Sequence, residues 1–514
     1  MNYADLFRVT LPETALEIAA LMVLVVDLAF LRKAALKVRV AVAALLGVAG
    51  CGAAVWALYW AIGSQHVWGF GLKDSHELLL MSIFHVGSAQ VGILVLTALT
   101  LLLLIDSDFT HHVGEYVSVV LMAASGALLV SGATDLLVIF VGLELLSLGL
   151  YILTAFAKSS GKSAEAALKY YLFGGMSAAF LLFGFSYFYG LTGSTNLVKI
   201  QEAIAASGPS PLFYLAWILV VAGLGFKIAA VPFHLWAPDT YEGAPAPAAA
   251  FIASVSKVAS FALLITLSFS WLRPGEGSGP WPQLAGILLV LAAASMIVGN
   301  LAALAQVSVR RLLAYSAIAH AGYILLGVAV SHGYSDQNSP SDFSSAALAS
   351  TFLGTNAVLF YVLTYGLTTI GAFSVVSVVE RATGSDKLDS FLGLHKRNPL
   401  LAAVLLVLFL SLAGIPPLGG FWAKFNLFAA VLGVSAGPVP FALVALAIAF
   451  SVVSLYYYLQ VLKRAYVMPA IDETPIKVHP VTQFVLLLIA AAVVLLGCFP
   501  DLLLRWIESF YPVL

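Results

Sequence analysis

Charged residues are scarce in fourteen long apolar stretches of this chain, and that scarcity constrains the fold more than any motif does. A helix crossing ~30 Å of hydrocarbon needs ~20 mostly apolar residues. Windows of that kind fall at about 13–31, 38–62, 79–105, 115–134, 135–157, 163–191, 212–237, 247–272, 283–306, 310–331, 350–380, 399–434, 440–463 and 481–505. Hydrophobic residues make up 61% of the 514, and 24 Lys and Arg stand beside 25 Asp and Glu. Soluble domains carry roughly a quarter charged residues, so a water-soluble fold could not cover this much apolar surface. The expectation is an all-α polytopic membrane protein of about fourteen transmembrane helices. A net charge of −1 gives no case for nucleic-acid binding. Cys51 and Cys498 lie far apart in apolar runs, which excludes a CxxC redox pair, an attached haem and a cysteine-held iron–sulfur cluster. The connections are short, so 1–514 reads as a single transmembrane domain. Met1 to Arg8 lacks a basic leader pattern, so the first span is expected to be retained.

The cations set an expected orientation. With the N-terminus outside, fifteen of the 24 fall in loops on the cytoplasmic side, from Arg32 to Lys477. Five fall on the opposite side: Arg8, Lys73, Lys199, Arg273 and Arg505. Positive loops stay inside, so both termini are expected on the outer side of an even-spanning chain.

Four cations remain. Lys169 stands four residues after Glu165, the spacing of a helical ion pair, and is either interfacial or functional. Lys227, Lys257 and Lys424 lie well inside apolar segments. A lysine at the bilayer centre costs at least ~2.5–3.5 kcal/mol, so three together point to an ion or proton pathway. The competing reading is snorkelling toward an interface. Glu144, in "VGLELLSLG", is a matching buried acid, expected to pair with one of these lysines; a purely structural ion pair is the alternative. Asp27 and Asp135 lie nearer span ends and read as interfacial.

Two spans should be broken. Lys227 is followed by "IAAVPFHLWAPDTYEGAPAP", and "GIPPLGGFWA" precedes Lys424. Proline removes an amide donor and clashes with the preceding turn. Irregular backbone at membrane depth survives only beside protein or a water-filled cavity, and paired breaks mark the site of inverted-repeat transporters. The expected organisation is helices 1–3 over 1–110, a first five-helix repeat over 115–272, an inverted second over 283–463, and a last helix at 481–505. The lysine precedes the break in one half and follows it in the other. His85, His234 and His320 lie within spans. His320 and His234 are candidate proton relays because imidazole titrates near neutrality; a satisfied buried histidine is the alternative.

The stretches "FKIAAVPFHLWAPDTYEGAPAP", "RRLLAYSAIAHAGYILLG" and "SLAGIPPLGGFWAKF" together resemble the antiporter-like membrane subunits of respiratory complex I, most closely the subunit N family. The first pattern alone is shared with the sodium/proton antiporters of the same superfamily, so a Mrp-type cation/proton antiporter is the alternative. The lysine after "GIPPLGGF" favours subunit N. The resemblance implies that Glu144, Lys227, Lys257 and Lys424 form the proton path, with His320 at a polar relay position. It implies no cofactor in this subunit, with NADH, FMN, iron–sulfur clusters and quinone in partner membrane and peripheral subunits. It also implies a bacterial inner membrane. In the expected mechanism, Glu144 holds Lys227 charged, and breaking that pair drives its proton toward Lys257 and then Lys424.

Overall fold

The computed structural model describes residues 10–63, 78–271, 281–331, 345–434, 437–470 and 472–510; Arg8, Lys73, Arg273 and the side chain of His85 lie outside them. Three helices come first: α1 (Leu11–Val25, continued by a π turn over Val26–Phe30), α2 (Leu36–Gly63) and α3 (Leu78–Leu104). The next group is α4 (Val113–Gly132), α5 (Leu136–Thr154), α6 (Gly161–Thr192), α7 (Leu197–Ser207), α8 (Pro211–Ile228), α9 (Trp236–Gly243) and α10 (Ala246–Trp271). Then come α11 (Trp281–Leu304), α12 (Val309–Ser331), α13 (Ser345–Thr383), α14 (Pro399–Ala413), α15 (Gly419–Val434) and α16 (Pro438–Tyr466). The chain closes with α17 (Pro480–Cys498) and α18 (Asp501–Glu508).

Hydrocarbon offers no partner for a backbone amide, so an apolar chain must satisfy its own hydrogen bonds, and helices do so within one segment. Polar residues punctuate the apolar runs. Asp135, Ser160, Asn196, Ser210 and Asn398 each accept a backbone N–H at a helix start, with proline next in line at residues 211 and 399.

Twelve helices among the described residues are long and apolar enough to cross a membrane. The expected first and twelfth spans fall on shorter pieces, α1 with its π turn and the α14–α15 pair. Three local expectations change. The 481–505 window is two helices, because α17 ends at Cys498 and the chain restarts at Asp501 as the short amphipathic α18. Residues 197–207, read as loop, form α7, whose polar side hid it from a search for apolar runs. The seventh window ends at 237, but α9 carries on to Gly243.

Burial sorts the helices into an interior and a rim. The apolar window of α10 is entirely buried and that of α12 is 94% buried, against 33% for α6 and 22% for α16. At the end of α2 that the orientation rule places outside, Trp56, Tyr59 and Trp60 are exposed, and Trp506 of α18 donates to the Tyr59 hydroxyl at 3.3 Å. Aromatic clusters of this kind sit at headgroup level.

At the opposite, cation-rich end, ion pairs tie the connections together. Asp239 of α9 receives Lys169 at 2.7 Å and Arg311 at 2.6 Å, and Glu242 receives Arg311 at 3.0 Å and Lys162 at 3.2 Å. Lys169 also meets Glu165 at 2.7 Å, so its interfacial reading fits the geometry. Asp27 likewise is held by Arg39 through two bonds of 2.6 and 2.7 Å, and Asp135 is a helix cap. Burial alone would raise the pKa of Asp239 and Glu242, but hydrogen bonds from their cations outweigh it and hold both below the usual carboxylate range. A depressed carboxylate stabilises the fold above its unfolded pKa of about 4, and that contribution is lost as pH falls through the lower folded value. Asp239→Asn should therefore lower thermal stability by about 1 kcal/mol at neutral pH. The deficit should shrink in acid, as thermal melts in detergent at pH 7 and below pH 4 can check.

Candidate functional site

Each break interrupts a helix just where the sequence places its prolines. α8 stops at Ile228 and Ala229 takes a left-handed conformation, φ 59°. The freed groups find protein partners: Trp236 Nε1 donates to the Phe226 carbonyl at 2.9 Å, and Val231 N–H donates to Ser295 Oγ at 2.9 Å. α14 stops at Ala413 with Gly414 at φ 86°, and Gly420 N–H donates to Ser411 Oγ at 3.1 Å. Both breaks contain a cis peptide, Val231–Pro232 and Pro416–Pro417.

Lys227, Lys257 and Lys424 are 7%, 2% and 5% exposed, so none of them snorkels. Lys227 occupies the last turn of α8, donates to Ser147 Oγ at 2.5 Å, and lies 5.5 Å from the Phe226 ring and 6.0 Å from that of Tyr151. Lys424 is on α15 but folds back across the break, donating to the Ala413 carbonyl at 2.9 Å and to Ser451 Oγ at 2.8 Å. Sequence order put one lysine before its break and the other after. In space Lys227 belongs to the last turn of the half-helix before its break, and the Lys424 ammonium reaches the last carbonyl of the half-helix before the other, where the helix dipole favours a cation. Gly414 makes this close approach feasible, since a Cβ there would stand 3.0 Å from Lys424 Cδ.

Lys257, in the buried apolar window of α10, donates to the Ala317 carbonyl of α12 at 2.5 Å and lies 5.7 Å from the centre of the Tyr365 ring. That tyrosine ring is 4.9 Å from the imidazole of His320. His320 Nδ1 is 2.8 Å from the Tyr361 hydroxyl, its Nε2 is 3.4 Å from that of Tyr458, and its ring is 5.7 Å from Tyr323. Tyr323 in turn lies under Lys424, 5.4 Å from Nζ. Lys257, His320 and Lys424 thus share one continuous aromatic and hydroxyl environment. A small cavity there is lined by His320, Thr364, Thr368, Ser411 and Gly420, reaching from the imidazole to the second break. Hydroxyls, imidazole and room for water are the parts from which a proton relay is made.

Two of the expected residues stand outside the hydrogen bonds made by the lysines. Glu144 and Lys227 form no ion pair; Ser147, three residues on and on the same face of α5, takes the ammonium instead. Glu144 is half-buried with Oε1 enclosed and unpartnered. His234 sits in the first break with Nδ1 buried and unpartnered, and no hydrogen bond connects it to the lysines. The structure also adds residues that the search for charge passed over: Ser147, Ser451, Tyr323, Tyr361, Tyr365 and Tyr458. A search for hydroxyls at helical spacing, such as Tyr361, Thr364, Tyr365 and Thr368, would have found the α13 side of the site. Among the described residues no cluster of histidine, cysteine or acids could hold a metal ion.

Known proteins give the same picture at the level of the whole chain. A family model described as "NADH:quinone oxidoreductase/Mrp antiporter, TM" matches residues 133–339 and 343–451. NADH-quinone oxidoreductase subunit N 2 of Acidobacterium capsulatum is 46% identical over 513 residues, 99% of either chain. A chain of respiratory complex I from Thermus thermophilus with bound aureothin is 33% identical, with a TM-score of 0.74 over 96% of this chain and 98% of that one. A chain of the Mrp complex from Dietzia sp. superposes with a TM-score of 0.75 over 97% of each, at 20% identity, a likeness of fold alone.

Proposed function

The chain belongs to the NADH:quinone oxidoreductase/Mrp antiporter transmembrane family, and from that premise we propose that it is the proton-translocating, antiporter-like subunit N of an NADH-quinone oxidoreductase. Full-length identity of 46% to a subunit N favours this over a Mrp-type antiporter, where the likeness is 20%. As a multi-pass subunit of such a complex in a bacterial membrane, it works with other membrane and peripheral subunits. NADH, FMN, iron–sulfur clusters and quinone belong to those partners, and both of its own termini are on the outer side. Residues 115–272 and 283–463 act as two inverted repeats, each contributing one broken helix.

The observation that carries the mechanism is the set of three enclosed lysines, two of them at helix breaks and Lys257 on the helix between. An ammonium in a low-dielectric setting changes its proton affinity when a carboxylate approaches or leaves, and one pKa unit is worth ~1.36 kcal/mol. Glu144 has an enclosed, unpartnered oxygen, and Ser147 stands on its helix face against Lys227. A signal from neighbouring subunits that turns Glu144 toward Lys227 stabilises the ammonium; its withdrawal releases the proton toward Lys257. His320 and its tyrosines then relay it to Lys424. His234 serves as a side relay at the first break.

Glu144→Gln and Lys227→Met should leave the complex assembled and NADH oxidation measurable, while proton pumping per NADH falls. Normal pumping in both variants rules out the path. Ser147→Ala should have a smaller effect of the same sign. Loss of assembly in all three would favour a purely structural role.

A further inference from the structure

We propose that the ion pair between Asp106 and Arg381 is a gate separating a solvent vestibule at the cation-rich end from an inner cavity that leads to Lys257. The proposal rests on the reading of Lys257 as a proton carrier. Arg381 Nη2 donates to Asp106 Oδ2 at 2.6 Å, and the backbone N–H of His479 approaches the same oxygen at 3.4 Å.

Two cavities meet at this pair. The outer one encloses about 930 Å³ of space open to solvent, walled by Lys162, Glu242, Arg310, Glu380 and Asp386. The inner one is smaller and lies between α3, α10 and α13, lined by Thr100, Ala250, Ser374 and Thr482. Asp106, Ser107, Ser377 and Arg381 bound both, so the ion pair stands in the partition.

The inner cavity reaches α10 at Ala250. Ala250 precedes Lys257 by seven residues, which is two turns on one helix face and about 10 Å at 1.5 Å per residue. On α13, Ser374 stands nine residues beyond Tyr365, whose ring lies against Lys257. The seam between cavity and lysine carries hydroxyls. Thr100, Ser254 and Ser374 donate to carbonyls of their own helices, which leaves oxygen lone pairs free to accept from water. The hydroxyl of Thr482, in the lining of the inner cavity, is buried without a hydrogen-bond partner. Unsatisfied buried hydroxyls facing an enclosed space mark positions for ordered water, the medium in which protons move.

Asp106 and Arg381 suit a gate better than a fixed strut. Asp106 follows the end of α3 and Arg381 lies near the end of α13, so a turn of either side chain parts them without moving a helix. Their side chains are 16% and 33% exposed, so water competes for both, and a pair of this kind is held shut only weakly. While it is shut, a guanidinium in the passage repels an approaching hydronium; when it opens, the carboxylate is the nearest group able to take the proton.

The test uses the assembled enzyme in membrane vesicles, with Cys498→Ser removing the exposed native thiol and Ser374→Cys reporting from the inner cavity. A membrane-impermeant maleimide is added to each face in turn. Asp106→Asn and Arg381→Gln should speed labelling from the cation-rich face about threefold to fivefold, what an exposed ion pair can hold closed. The exchanged pair, Asp106→Arg with Arg381→Asp, should return the rate to that of the parent. An unchanged rate in both single variants overturns the gate. Should the single variants not assemble, Arg381→Lys keeps the charge with a shorter reach, and a rate equal to the parent's there overturns it as well. Faster labelling alongside normal pumping in Lys257→Met leaves the gate standing and removes the proton-path reading beneath it.

Discussion

Lys257→Met is expected to cut coupled proton pumping by at least roughly tenfold, the modest end of what losing a positioned acid–base group costs. The same change is expected to make the protein more stable. The lysine is 2% exposed, and among the described residues its one hydrogen bond is to a carbonyl, Ala317 O, with no carboxylate paired to it. Methionine has nearly the same length and shape, so it fills the space without a cavity and removes a buried charge costing ~2.5–3.5 kcal/mol by insertion scales. Part of that cost is already offset by the carbonyl and by the Tyr365 face, so a gain of order 1 kcal/mol is expected. Pumping down with stability up is a combination that no scaffold role produces. It can be read from acidification of inverted vesicles during NADH oxidation, together with a thermal melt of the purified complex. A variant that melts earlier and pumps normally would show that Lys257 serves the fold.

Gly420→Ala should give the largest structural effect. An added Cβ would stand 1.8 Å from the Ser411 carbonyl oxygen, and that oxygen belongs to backbone that cannot swing aside. Relief requires α15 to move by about 1 Å from α14, which also lengthens the Gly420 N–H to Ser411 Oγ bond of 3.1 Å. Overpacking of this kind costs about 1–3 kcal/mol. The displacement carries Lys424 away from the Ala413 carbonyl, so coupled turnover should fall along with stability, since a 1 Å misplacement can cost ~10²-fold. Gly175 is the control, because a Cβ there meets nothing within 4 Å. Its alanine variant should be neutral or stabilised by about 0.5–1 kcal/mol, the usual gain of alanine over glycine inside a helix. Equal melting temperatures for the two variants would mean that the second break tolerates movement.

The residues most readable from sequence were those whose chemistry conflicts with their surroundings. A lysine in "GLGFKIAAV" or "IASVSKVAS" stands out because lipid charges a high cost for it, and the three so found are all enclosed in the structure. Prolines, with glycines beside them, located both breaks for a similar reason, since a proline inside a helix removes a donor and clashes with the preceding turn. Tyr361, Tyr365 and Tyr458 were invisible because a tyrosine in an apolar helix is unremarkable until its neighbours are known. Ser147 was missed because a serine is easily satisfied by its own helix; its value lies in a partner eighty residues away.

Local chemistry, then, determined by sequence alone that this chain is helical, membrane-bound and broken at two places, because hydrocarbon penalises each charge and each proline where it stands. Two matters were decided only by tertiary structure. Glu144 stops one serine short of Lys227, and Lys424 turns back over the second break to take the same helix-end position as Lys227. Both depend on how helices distant in sequence lie against one another, and the apolar faces that bring them together are too uniform to record that register.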